Sequence, residues 1–187
     1  MDFIITNRTL CLDNFEKRIE YFAKTKEHSI ILREKDLSYE EYEILAKKLI
    51  NLCAPNQSKL ILHTHIKVAQ KLNIKKIHLP YPIFLKEKDS LNNFEEIGVS
   101  VHSLEEAQIA SKQGATYLIA GHIFPTNCKK DLPPRGLSFL TDICQAVSLP
   151  VYAIGGITEE NYQDIKKAGA TGACYMSSYM TMPIPIE

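Results

Sequence analysis

His122 opens a long polar loop, Gly121-His122-Ile123-Phe124-Pro125-Thr126-Asn127-Cys128-Lys129-Lys130, and is the side chain best suited to carry a proton. An imidazole with its ordinary pKa of about 6.5 both accepts and returns a proton at neutral pH. An isolated histidine is more often structural, so its place in the fold has to decide. Other residues read as anion binders. Arg33-Glu34-Lys35 brings two cations together, and Lys129-Lys130 adds a basic pair in the histidine's own loop. Gly155-Gly156 stands just ahead of a helical stretch, where bare backbone N–H groups can approach a phosphate. A tight turn without a ligand is the plain alternative for that pair. Met176-Ser177-Ser178 supplies a second small, polar turn near the end of the chain.

The elements that must position these residues alternate. Short β-rich runs at 3–6, 29–33, 59–63, 76–79, 98–101, 117–120, 150–154 and 172–176 number eight. Amphipathic segments lie between them, such as 39–52, where Tyr42, Leu45, Ala46, Leu49 and Ile50 recur at helical spacing. Ser103 and Glu106 read as a capping box at another helix start, and 158–161 repeats the pattern. Apolar strands alternating with helices call for a parallel sheet covered on its outer face. Eight such units predict a single (β/α)8 TIM barrel over residues 1–187, an α/β fold. Every residue named above then falls after a strand, at the carboxyl end where such barrels place their sites. A doubly wound open sheet is the alternative, but it calls for a Gly-rich first turn and the chain has Asn7-Arg8-Thr9. Pro183 and Pro185 predict a truncated or missing eighth helix. The barrel wall beside strands one and eight should then lack cover, which a homodimer would supply.

Composition narrows the partners. Of 187 residues, 45% are hydrophobic and 24% charged, and 22 cations balance 22 anions. Zero net charge argues against nucleic acid or an anionic membrane as partner. Without an apolar run of about 18 residues or a basic leader, a cytoplasmic protein is expected. Five cysteines without a Cys-x-x-Cys pair read as free thiols, mostly buried, with Cys128 set apart by its place in the loop. His63, His65, His78, His102 and His122 cluster near the ends of strands three to six. His63-Thr64-His65 would put two rings on one face of an extended segment, so a zinc-dependent hydrolase is a second reading.

Five stretches carry a family resemblance along nearly the whole chain. They are Arg33-Glu34-Lys35-Asp36-Leu37, Ser100-Val101-His102-Ser103, Phe124-Pro125-Thr126 with Lys129, Arg135-Gly136-Leu137, and Ala153-Ile154-Gly155-Gly156-Ile157. In this order and spacing the chain resembles the thiamine-phosphate synthase/TenI superfamily. The resemblance implies a TIM barrel that binds a thiazole phosphate. The synthase branch joins a pyrimidine pyrophosphate to the thiazole phosphate with Mg²⁺ held by acidic residues after strands three and four. The TenI-type thiazole tautomerase shifts a proton to aromatise a carboxythiazole phosphate, without cofactor or metal.

Departures from the synthase pattern favour the tautomerase. His63-Thr64 stands where Asn-Asp is expected, and Ile31 where glutamine is expected. His78-Leu79-Pro80-Tyr81-Pro82-Ile83 replaces a stretch that ends in an acid, and Gly121-His122 replaces Gly-Pro. The tautomerase reading assigns His122 as acid and base, and places the phosphate on Gly155, Gly156, Met176 and Ser177. Thr126 adds a hydroxyl, and Arg33 or Lys129 faces the substrate carboxylate. The synthase alternative places Arg33, Lys35, Ser103 and Lys129 on pyrophosphate. A non-catalytic binder of thiazole phosphate is the remaining reading.

Overall fold

The structure, a computed structural model, describes residues 2–25, 28–53, 59–129 and 131–185. Eight parallel strands close on themselves in sequence order: β1 (Asp2–Ile5), β2 (His28–Leu32), β3 (Leu60–His63), β4 (Lys76–Pro80), β5 (Glu96–Val101), β6 (Tyr117–Gly121), β7 (Val151–Ile154) and β8 (Gly172–Tyr175). Helices α1 (Phe15–Lys24), α2 (Tyr39–Leu52), α3 (Ile66–Lys71), α4 (Tyr81–Glu87), α5 (Leu104–Lys112), α6 (Gly136–Ala146), α7 (Glu159–Lys167) and α8 (Ser177–Thr181) follow the strands. The barrel expected from the sequence is therefore present, with strand ends displaced by one or two residues. Among the described residues no helix is long and apolar enough to cross a membrane.

Two-residue alternation divides the core. Outward residues such as Ile4, Ile30, Leu62, Leu79, Val99 and Leu118 pack beneath the helices. Inward residues Phe3, Ile5, Ile31, Ile61, Tyr117, Ile119, Tyr152 and Cys174 fill the lumen. Each buried large aliphatic or aromatic side chain contributes about 1.5–3 kcal/mol. Toward the carboxyl ends the inward series turns polar: Ile31 gives way to Arg33, Ile61 to His63, and Gly98 to Ser100. The strands thus change from filling a core to lining a site.

The eighth helix is cut to five residues, as the prolines require, yet the wall beside it is not bare. Tyr175 stacks on Tyr179 at 4.9 Å, and Tyr179 also meets Phe22 and His28 at 5.3 and 5.1 Å. Met180 is fully buried. Arg18, almost fully buried on α1, pairs with Asp13 through two nitrogens and donates to the carbonyls of Tyr179 and Met182 at 2.7 and 2.8 Å. One guanidinium therefore terminates α8 and fastens the end of the chain to its beginning. The uncovered wall expected from the prolines is closed by this aromatic and arginine cover.

Replacing Arg18 with Met keeps the side-chain volume and strands Asp13 and two carbonyls. Losing one partner of such a buried pair costs about 3 kcal/mol. A fall in the urea midpoint of that order, with unchanged m, is expected; an unchanged midpoint contradicts the fastening role.

Candidate active site

The first two strands set up the cationic side of the site. Thr6 donates through its hydroxyl to Glu34 Oε1 at 2.6 Å, and the Arg8 N–H reaches both oxygens of the same carboxylate at 3.0–3.1 Å. Thr6 Oγ1 in turn accepts from the Arg33 N–H at 2.9 Å. Glu34 is 3% exposed, and burial pushes its carboxyl pKa up against these hydrogen bonds. Its oxygens are thus turned toward the first loop, leaving the cations at 33 and 35 to face the cavity. Lys35 is held below the ordinary lysine range first by Arg33, then by burial and by Lys129. Three like charges are therefore close, and no salt bridge joins any of them to a carboxylate among the described residues. Lys130, their expected companion, lies outside the described residues.

A cavity of about 410 Å³ opens at this end of the barrel. Its lining brings together Arg33, Lys35, His122, Thr126, Lys129, Gly155, Gly156, Met176 and Ser177. Of the residues expected from the sequence, Ser103 alone is not part of the lining. Its hydroxyl accepts from the Glu106 N–H at 3.1 Å and caps α5, so the capping role read from the sequence is the one the fold uses. The reciprocal half of that box is displaced by one residue, Glu106 accepting from the His102 N–H.

His122 is 4% exposed and its Nε2 lies 3.3 Å from the Leu132 carbonyl. A carbonyl only accepts, so this bond places a proton on Nε2, and in the neutral ring the lone pair is on Nδ1. The loop after β7 packs directly on it. A Cβ at Gly155 would sit 2.3 Å from His122 Cβ, and one at Gly156 would sit 2.4 Å from the Pro125 carbonyl, with φ of +99° and +65° at the two glycines. Both positions therefore require glycine for backbone and packing reasons. The N–H groups of Gly156 and Ser177 donate to no acceptor among the described residues.

The lining also includes His102 and His78, which the sequence placed in its histidine cluster, and Ser100, which it did not assign to the site. His102 donates through Nδ1 to the Gly121 carbonyl at 2.8 Å, next to His122, leaving its Nε2 lone pair free. Ser100 and His78 form the floor, with His78 Nε2 2.8 Å from Ser100 Oγ. Two-residue alternation from Gly98 was the signal for Ser100.

The histidines do not assemble a zinc site. His65 stacks on Tyr42 at 3.8 Å, while His63 stacks on His78 at 5.9 Å within the lumen. No group of three or more potential ligands from His, Cys, Asp and Glu comes together among the described residues. The Mg²⁺ implied by the synthase branch also lacks its donors. Among the described residues no Asp or Glu lines the cavity, and Thr64 and Ile83 stand at the acidic positions. A hard cation takes oxygen ligands, chiefly carboxylates; this donor set does not fit one. All five thiols are free: Cys53 and Cys174 buried, Cys11 and Cys144 half-buried, Cys128 exposed in the site loop.

Comparison with known proteins adds the decisive observation: a family model described as thiamine monophosphate synthase matches residues 3–179. The chain belongs to this family. It is 32% identical over 181 residues to a putative thiamine-phosphate synthase 2 of Aquifex aeolicus, covering 95% of this chain and 96% of that one. It is 35% identical over 181 residues to a thiamine-phosphate synthase of Pyrococcus abyssi, covering 95% and 86%. The solved structure of a thiamine phosphate pyrophosphorylase from Pyrococcus furiosus superposes with a TM-score of 0.78 at 29% identity, covering 97% and 87%. These names favour the transferase placed second from the sequence over the tautomerase placed first.

Burial also makes the floor pH-sensitive. His78 is pushed down to about 3, and burial with neighbouring positive charge also lowers His63. The unfolded chain then binds protons that the folded chain refuses, so stability is retained above about pH 6.5 and lost as pH falls below it. Each such histidine costs about 1.4 kcal/mol per pH unit in that window. Urea midpoints at pH 7 and pH 5 should differ accordingly, and the difference should shrink in His78→Phe. Equal sensitivity in that variant contradicts the assignment.

Proposed function

We propose that the chain is an enzyme of thiamine biosynthesis that binds a phosphorylated carboxythiazole and shifts a proton on its ring. The observation that carries this reading is the composition of the cavity: two histidines placed by backbone carbonyls, three cations in no salt bridge and, among the described residues, no carboxylate in the lining. Free N–H groups at Gly156 and Ser177 suit a phosphate, and Gly155 and Met176 shape the turns that present them. Arg33, Lys35 and Lys129 suit the substrate carboxylate. With both anionic ends held, the reacting ring lies between His102 and His122.

Aromatisation removes a proton from one ring position and returns one at another. His122 Nδ1, with its lone pair free, takes the first proton; the imidazolium formed is steadied by the Leu132 carbonyl at Nε2. Either that same proton or one passed through His102 goes back to the ring. Imidazole both takes and returns a proton, so the step as written needs no metal and no leaving group.

Transfer of a pyrimidine from its pyrophosphate is the second reading, favoured by the names of the relatives. The cationic cluster suits pyrophosphate, whereas the lack of acidic residues in the cavity speaks against the Mg²⁺ that would accompany it.

His122→Asn should lower turnover of the dihydro-carboxythiazole phosphate by about 10²–10⁴-fold, the usual worth of acid–base catalysis. Product affinity should change by less than about tenfold, since Asn leaves the phosphate grip intact. Thr126→Ala should weaken binding more than turnover, and chelator should leave both intact. Robust Mg²⁺-dependent formation of thiamine phosphate, with no turnover of the dihydro compound, contradicts the proposal and selects the transferase.

A further inference from the structure

Below the cavity floor, three strands bring a buried hydrogen-bonded chain together in one row. The register sets His78 of β4 opposite Gly98 of β5, and Gly98 opposite Tyr117 of β6. Gly98 has no side chain, so the two flanking side chains meet across it. The Tyr117 hydroxyl lies 3.1 Å from His78 Nδ1, and His78 Nε2 lies 2.8 Å from Ser100 Oγ. A Cβ on Gly98 would sit 2.0 Å from Tyr117 Cζ and 2.4 Å from His78 Nδ1. The glycine therefore leaves the space in which the tyrosine–histidine contact crosses β5 on the inner face of the barrel. Ser100, two residues further along β5 and on the same face, lines the cavity.

Hydrogen-bond accounting fixes the direction of this chain. Tyr117 is 3% exposed, and among the described residues its hydroxyl has one hydrogen-bond partner, His78 Nδ1. If Nδ1 carried the proton, the tyrosine O–H would be left buried without an acceptor, at a cost of a full unsatisfied donor. With Tyr117 donating to Nδ1, the single imidazole proton sits on Nε2 and is donated to Ser100 Oγ. Ser100 is then an acceptor toward the floor, and its own proton is free to turn into the cavity. Burial keeps His78 neutral and Tyr117 protonated, consistent with this arrangement.

We infer that Tyr117 and His78 are positioning residues that present Ser100 as a hydrogen-bond donor, making the cavity selective for ligands with an acceptor atom, such as a carboxylate oxygen or a ring nitrogen, above the floor. The ligand class rests on the function proposed above; the relay itself does not.

The direct test is the tautomer of His78 in the unliganded protein, read from long-range ¹H–¹⁵N correlations at pH 7. The Nε2–H form is expected; the Nδ1–H form overturns the relay, whatever the enzyme turns over. Binding gives the second arm, with carboxythiazole phosphate as probe and inorganic phosphate as control. Ser100→Ala and His78→Phe should each weaken the probe by about tenfold, as for one neutral hydrogen bond, and leave inorganic phosphate unchanged. The double variant should lose no more than either single one, because the two residues act through one contact. His78→Gln, whose amide N–H takes the place of Nε2–H, should recover part of the affinity. Additive losses, or no recovery with Gln, overturn the proposal. A protein with the Nε2–H tautomer that binds the probe but does not turn over the dihydro compound keeps the relay and loses the tautomerase.

Discussion

The site depends on where one carboxylate points. Glu34 sits between Arg33 and Lys35 in sequence, and an exposed glutamate there would neutralise its neighbours. Thr6 and the Arg8 N–H instead hold it in the first loop, 3% exposed. Desolvating a carboxylate is costly, and these hydrogen bonds offset it. The consequence is a cavity mouth where Arg33, Lys35 and Lys129 crowd with no salt bridge to a carboxylate among the described residues, as the depressed Lys35 records. Like charges held together in this way favour an anionic ligand, because it removes their mutual repulsion.

Barrel geometry supplies the rest. Strands fill the lumen with apolar side chains near their amino ends and with His63, His78 and Ser100 further along. Burial favours the neutral form of His63 and His78 in that position. Neutral, hydrogen-bonded rings suit proton movement and directed hydrogen bonding, while the charge needed for anion binding is confined to the rim. Thus the same strands separate recognition from chemistry.

Much of this was legible in the sequence. Eight apolar runs separated by helical periods favoured a barrel over an open sheet, and α2 spans Tyr39–Leu52, the stretch that its periodicity marked. Nine of the ten anticipated site residues converge on one cavity because each follows a strand, and strand ends are what a barrel brings together. Ser103, placed in the site by resemblance, lies outside this lining and makes the cap that its local pattern marked. Other features depend on partners far apart in the chain. Arg18 joins α1 to residues near 180, which no local pattern displays. Gly98 looks like an ordinary strand glycine until the register sets His78 and Tyr117 on either side of it. His-x-His spacing suggested zinc, but Thr64, at φ +67°, breaks the extended run, and the two rings part.

On the function proposed above, this mouth grips a ligand with two anionic ends without help from a metal. Calorimetric titration of carboxythiazole phosphate against its dephosphorylated alcohol, each in chelator and in Mg²⁺, tests it most directly. At least two hydrogen bonds to a charged phosphate, each contributing about 1.5–3 kcal/mol, predict at least about 100-fold tighter binding of the phosphate form, with the same affinity in chelator and in Mg²⁺. Equal affinity for the two compounds, or phosphate binding that appears only with Mg²⁺, would contradict it.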